Sequence, residues 1–88
     1  MDKLTVALNV TEEPLIVSAG TMPWFGFNMT NDGPSDVLVR VNPEKSMNSH
    51  RVRNSEPYRE HMGQPVIKSI MLQCEPGRSA TVRLVGAR

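Results

Sequence analysis

Cysteine, aromatic residues and long apolar runs are all scarce in this 88-residue sequence. The single cysteine, Cys74, excludes a disulfide within the chain and favours a reducing compartment. No apolar stretch approaches the roughly 18–20 residues that a membrane-spanning helix requires. The first ten residues alternate between apolar and polar types, which is not the pattern of a secretory signal peptide. We therefore expect a soluble protein that is made in the cytoplasm and does not bind a membrane.

An excess of charge of one sign is also absent. Ten Lys and Arg residues face nine Asp and Glu residues, and the resulting net charge of +1 gives no argument for nucleic acid as a partner. Apolar residues make up 39% of the chain, below the roughly 45–50% that is usual in globular domains. A chain this short forms one domain with a small core. We therefore expect a neighbouring copy to contribute burial, with a trimer as the first expectation.

The sequence contains no recognisable catalytic or metal-binding motif. His50 and His61 are separated along the chain, and with Cys74 or Glu60 they lack the paired local ligands of zinc sites. Cys74 ends an apolar alternation, which indicates a buried, unreactive thiol rather than a nucleophile. Phosphate-binding loops and nucleophile elbows are missing as well. We expect no enzyme activity, no catalytic residue, no metal and no cofactor.

Apolar residues recur at every second position through most of the chain, which is the pattern of half-buried β-strands. Six segments follow this pattern or form a short apolar run: residues 4–10, 15–17, 25–30, 37–41, 69–74 and 80–85. Clusters of turn-forming residues separate them, and no segment has a convincing helical period. The sequence therefore predicts an all-β fold, a small six-stranded antiparallel sandwich or barrel with one long loop that forms a single domain over residues 1–88. We expect consecutive strands to follow one another in hairpin-like order.

Two glycines mark predicted turns. Asp32-Gly33 stands between two alternating segments, so we predict a hairpin that joins residues 24–30 to 36–42, with Gly33 at positive φ. The order of Pro76 and Gly77 is the one that a type II turn favours. The chain should therefore return antiparallel after each of these turns.

Residues 43–65 break the strand pattern. They contain three prolines and no periodic apolar residues, so we predict one long loop with at most a helical turn over residues 56–61. Three glutamates alternate in this segment with four cations: Lys45, Arg51, Arg53 and Arg59. This mixture favours a solvated loop or an inter-subunit salt-bridge region over a phosphate-binding patch.

Five side chains are candidates for a protein interface: Trp24, Arg51, Arg53, Tyr58 and Arg59. We interpret the long loop as a contact arm in which the three arginines pair with carboxylates of a partner and Tyr58 packs at the seam. Alternation places Phe25, Phe27 and Met29 on one face of a strand and Trp24 on the opposite face. A tryptophan at the rim of the core and one at an interface are equally consistent with this position.

Residues 27–42 (FNMTNDGPSDVLVRVN) resemble a hairpin in small virion proteins of tailed bacteriophages, and residues 76–84 (PGRSATVRL) resemble the closing strand of those proteins. The resemblance implies a β-sandwich that serves as a structural protein of the virion and is made in the host cytoplasm. The implied role is a capsid decoration (cement) protein that forms homo-oligomers and binds a larger protein such as the major capsid protein. A tail, neck or baseplate component and a small ligand-binding β module remain alternatives.

Overall fold

A computed structural model describes residues 3–20, 23–45, 49–62, 64 and 66–87. Its strands are β1 (Lys3–Val10), β2 (Leu15–Ser18), β3 (Gly26–Pro34), β4 (Val37–Val41), β5 (His50–Val52), β6 (Pro57–His61), β7 (Ser69–Gln73) and β8 (Ala80–Ala87). Among these described residues no helix is long and apolar enough to cross a membrane. The predicted all-β class is confirmed, but the strands number eight rather than six and do not close into a barrel.

The strands form two packed antiparallel sheets of four strands each. Sheet A has the order β1-β8-β3-β6, and sheet B has the order β2-β7-β4-β5. Strands β1 and β6 are therefore the edges of sheet A, and β2 and β5 are the edges of sheet B. This pair of strand orders is that of the jelly roll, a two-layer sandwich built from Greek keys.

The strand pairs show that the chain is a single long hairpin wrapped into two sheets. Opposed residues in the pairs β1–β8, β2–β7, β3–β6 and β4–β5 include 3 with 87, 15 with 72, 26 with 61, and 37 with 52. The two numbers of each couple add up to between 87 and 90, so the chain folds back near its middle. Only β4 and β5 are neighbours both in sequence and in a sheet. The predicted hairpin-like order of consecutive strands is therefore wrong.

The predicted hairpin between residues 24–30 and 36–42 does not form, because β3 lies in sheet A and β4 in sheet B. The chain instead crosses from one sheet to the other after Pro34. Gly33 has φ of +80°, as predicted, but it lies just before this crossing between the sheets and not in a hairpin turn. A Cβ atom on Gly33 would overlap the side chain of Asn54.

The type of the turn between β7 and β8 agrees with the prediction, but the expected antiparallel pairing across it is wrong, because the two strands lie in different sheets. Gly77 has φ of +77°, the conformation that the third residue of a type II turn requires. The N–H of Arg78 donates to the carbonyl of Glu75 at 3.0 Å and closes the turn. The chain returns here from sheet B to sheet A.

The core lies between the inner faces of the two sheets, and Trp24 is its largest member. Phe27 and Met29 are buried, as alternation predicts, but Phe25 is 38% exposed and Trp24 is 0% exposed. The expected sharing of one face by Phe25 and Phe27 is therefore wrong. The reason is that the regular strand begins only at Gly26. The Phe25 N–H still bonds to Ala87 of β8, but the Trp24 backbone bonds to Ile67, with N···O distances of 2.9 and 3.1 Å.

The predicted loop over residues 43–65 is wrong in its central part. His50–Val52 pairs with β4, and Pro57–His61 pairs with β3, so a strand replaces the suggested helical turn at residues 56–61. Part of the predicted loop, residues 46–48, 63 and 65, lies outside the described residues. The segment thus supplies an edge strand to each sheet, and it is not a free arm.

Asn31 anchors the connection between β5 and β6 to the core. Its side chain is buried, and its Nδ2 donates to the carbonyls of Ser35 at 2.8 Å and Val52 at 3.0 Å. Its Oδ1 accepts the N–H of Gly33 at 2.8 Å. Its backbone N–H and C=O both bond to the β5–β6 connection. A buried amide with all of these partners fixes the position of the two edge strands.

Candidate functional site

Strands β5 and β6 lie next to each other on one side of the sandwich, and we call this region the β5–β6 side. Three positions that face the interior here carry polar side chains: His50 on β5, and Tyr58 and Glu60 on β6. Each is opposed by a buried core residue of the neighbouring strand. Polar groups avoid a dry core unless they are satisfied. The two sheets therefore leave an open groove between them at this side.

The groove has a volume of about 470 Å³, within the roughly 300–1,000 Å³ range of small-molecule sites. Val39 and Val41 of β4 supply apolar surface. Donors and acceptors come from Asn42, Lys45 and Ser49, together with the three polar side chains of β5 and β6. This lining can accept a small polar ligand or a side chain of another protein.

Tyr58 makes two tilted aromatic contacts at the groove. Its ring centroid lies 4.4 Å from that of His50 and 5.8 Å from that of Phe27. The Tyr58 hydroxyl donates to the Glu60 carboxylate at 2.9 Å. Burial, followed by this hydrogen bond and the charge of Glu60, raises the pKa of Tyr58 to about 12. The phenol therefore remains a neutral, oriented donor at physiological pH.

Arg51 projects from the edge of sheet B and is already paired within the chain. Its guanidinium lies 3.2 Å from the carboxylate of Asp36 and 3.0 Å from that of Glu75. The hydrogen bond to Asp36 is the first cause, and that to Glu75 the second, of a raised pKa for Arg51. Because two carboxylates already match its charge, Arg51 is a weaker candidate for a partner's carboxylate than the sequence indicated.

Arg53 and Arg59 are differently placed. Arg59 projects from β6 on the outer face of sheet A, and its Nε donates to the Asn28 side-chain oxygen at 2.9 Å. That partner is neutral. Arg53 is exposed in the connection between β5 and β6. Both cations therefore lie on the β5–β6 side: Arg53 where β5 and β6 are connected, and Arg59 on the outer face of sheet A.

The structure brings four of the five interface candidates to the β5–β6 side but excludes Trp24. The Trp24 ring is buried against Gly86, where a Cβ atom would lie 2.7 Å from ring atom Cε2. Trp24 thus belongs to the core and presents no surface to a partner in this fold. The sequence did not single out His50 and Glu60 as groove residues, because polar side chains that face inward give no apolar alternation.

The residues with metal-binding or nucleophilic chemistry do not converge. Within the described ranges there is no group of three or more His, Cys, Asp and Glu side chains that could hold a metal. His50 and His61 are both exposed. Cys74 is buried, as predicted, with Sγ 3.5 Å from the carbonyl of Val10. Burial raises the pKa of the Cys74 thiol, which favours the unreactive protonated form.

Strand order and groove together define a small jelly-roll domain that is open along the β5–β6 side. No known protein family, curated protein or solved structure matches this chain.

Proposed function

We propose that this chain is a non-enzymatic structural protein of a virus particle that decorates the capsid by binding a larger virion protein such as the major capsid protein. The observation that carries the proposal is the jelly-roll strand order, which viral capsid domains also use. This support is an analogy between folds. The resemblance of residues 76–84 to the closing strand of phage virion proteins adds to it, whereas residues 27–42 do not form the hairpin that their resemblance implied.

The β5–β6 side is the docking surface in this proposal, and an acidic surface segment of the larger virion protein is its partner. Among the described residues, the cations in ion pairs are Arg51 and Arg83. Arg53 and Arg59 thus offer charge that a partner's carboxylates can match. Tyr58, half-buried at the groove, supplies the aromatic contact that protein interfaces favour.

Binding to particles assembled without this chain tests the proposal. The purified protein should sediment with such particles and saturate at a fixed ratio to the capsid protein. The double variant Arg53→Glu/Arg59→Glu should bind at least about tenfold more weakly, because it opposes carboxylates with carboxylates. Lys68→Glu is the matched control, since Lys68 is an exposed cation just before β7 and does not line the groove. No sedimentation of the wild-type protein with particles would refute the proposal.

Gold labelling of complete virions separates a capsid position from the alternative position in the tail, neck or baseplate. Label distributed over the capsid shell is the result that the decoration role requires. Label confined to one vertex or to the tail would reassign the same fold to the alternative role.

A second candidate function is the binding of a carbohydrate in the groove. The jelly roll is also a lectin fold, and the groove combines the neighbouring Tyr58 and His50 rings with several donors and acceptors. Calorimetric titration with a panel of oligosaccharides tests this candidate. Heat of binding that disappears in Tyr58→Ala would favour it over the virion role, and the absence of binding across the panel would remove it.

A further inference from the structure

The edges of the two sheets differ in how well they are protected. An edge strand exposes unpaired N–H and C=O groups that can pair with another strand, and proteins usually shorten, charge or interrupt such edges. Strand β2 has four residues and β5 has three, while β6 begins at Pro57 and carries three ionisable side chains. Strand β1 has eight residues, no proline, and no charged residue after Lys3. Of the four edges formed by the described residues, β1 alone lacks protection.

We propose that β1 pairs antiparallel with β1 of a second copy of this chain, in a register centred on Ala7, and so joins two A sheets into one continuous sheet. Two identical antiparallel strands are related by a two-fold axis, and each contact is therefore made twice. This register places half-buried Val6 of each copy opposite half-buried Leu8 of the other. The two apolar side chains then cover each other.

The outer face of β1 is also compatible with a second copy. Ala7 and Asn9 are exposed there, and both are small and uncharged. Ala7 would lie opposite its own counterpart at the two-fold axis, where a charged residue would be repelled by itself. The strand is thus self-complementary on both faces. A strand of a different protein would need no such symmetry, so these features favour a second copy as the occupant.

This inference goes beyond the proposed function, which involves no contact between copies, and it does not depend on that function. Pairing of identical edges builds a two-fold dimer, whereas composition alone led to the expectation of a trimer. Measurements of the dimer need no virus particle, so the two proposals can fail separately. A monomer that binds particles would overturn only the edge pairing, and a dimer that ignores particles would overturn only the virion role.

Light scattering during size exclusion gives the first test. The wild-type protein should have twice the mass of one chain at micromolar concentration. Ala7→Lys places two lysines directly opposite each other, so the dimer should weaken by about tenfold or more. Thr81→Lys is the matched control, because Thr81 is exposed on the same outer face but lies on β8, one strand in from the edge. A monomeric wild type, or equal weakening by both lysines, would overturn the proposal.

Oxidative cross-linking provides a second test that does not depend on dissociation. Ala7→Cys should form a disulfide between copies, because residue 7 faces itself across the two-fold axis. Asn9→Cys should not, since the two copies of residue 9 would lie about 13 Å apart along the strands. The native Cys74 is buried and does not compete. Cross-linking at position 9 but not at position 7 would exclude this register.

Discussion

At the residue scale, Gly33 and Gly77 have similar backbone conformations but different surroundings. Both have positive φ, +80° and +77°, but only a side chain at Gly33 would meet a neighbour, Asn54. We expect Gly33→Val and Gly77→Val each to lower the free energy of unfolding by about 1–2 kcal/mol, because β-branched residues are strained at such φ. Urea denaturation measures both values.

The contribution of Asn54 can be isolated in the same series. Asn54 is exposed, so its side chain can turn away from a new side chain at Gly33 at small cost. Gly33→Val should therefore destabilise the protein by a similar amount in the wild-type and the Asn54→Ala backgrounds. An unchanged midpoint in Gly33→Val would contradict the account of this crossing between the sheets.

Tyr58 is the only tyrosine in the chain, so its ionisation can be followed directly by ultraviolet absorbance. We expect it to titrate near pH 12 rather than at the ordinary value of 10, with burial as the first cause. The pKa of Tyr58 is higher in the folded state than in the unfolded chain. Its contribution to the free energy of unfolding is therefore fully present below pH 10 and is lost as the pH rises from 10 to 12.

Substitution of Glu60 tests how much its carboxylate contributes to the raised pKa of Tyr58. Glu60→Gln removes the negative charge, so the pKa of Tyr58 should fall, while burial should keep it above 10. Glu56→Gln, at a carboxylate that does not contact the phenol, should leave the titration unchanged. Titration at pH 10 while circular dichroism still reports the native fold would contradict the described groove.

At the scale of elements, the sequence predicted the strands that have an apolar inner face. Residues 4–10, 37–41 and 80–85 alternate strongly, and each lies within a strand of the structure. Strand β5 escaped prediction because it has only three residues. Strand β6 escaped prediction because it turns Tyr58 and Glu60, rather than aliphatic side chains, toward the interior. Those two residues face the interior in a half-open groove, and a polarity pattern cannot reveal such a groove in advance.

The predicted interface residues differ in where the structure places them. The density of arginines led to the predicted contact arm, and that segment forms the β5–β6 side. The sequence could not show that Arg51 is neutralised by Asp36 and Glu75, because these three residues meet only after distant strands pair. Trp24 was ambiguous because burial of its ring depends on the space left by Gly86.

Hydrogen exchange on the isolated protein distinguishes edge strands from a free arm. Strand β8 lies between β1 and β3, so nearly all of its amides should be protected. Strand β6 pairs only with β3, so every second amide between residues 57 and 61 should be protected. Rapid exchange of all amides from residue 50 to residue 61 in the isolated protein would contradict the observed pairing.

At the scale of the whole molecule, the wrapped hairpin explains why strand partners were not predictable. Alternation identifies a strand and its inner face, but it does not identify the neighbouring strand. The pair β1–β8 joins the two ends of the chain, and such closure depends on the complete fold.

The same topology makes a kinetic prediction. Nearly all strand pairs join residues that are far apart in sequence, so folding should be slow for an 88-residue chain, on a scale of roughly milliseconds to seconds. Stopped-flow Trp24 fluorescence should report it, since that ring is buried only in the folded state. Folding within microseconds would contradict a fold dominated by non-local pairing.

The most direct test of the central claim is quantitative mass spectrometry of virions purified through density gradients. If the chain is a capsid decoration protein, it should accompany the virions through every purification step at a constant ratio to the major capsid protein. That ratio should equal a simple fraction set by the symmetry of the shell. Recovery of the chain only in the soluble fraction of infected cells, with none in purified virions, would contradict the account.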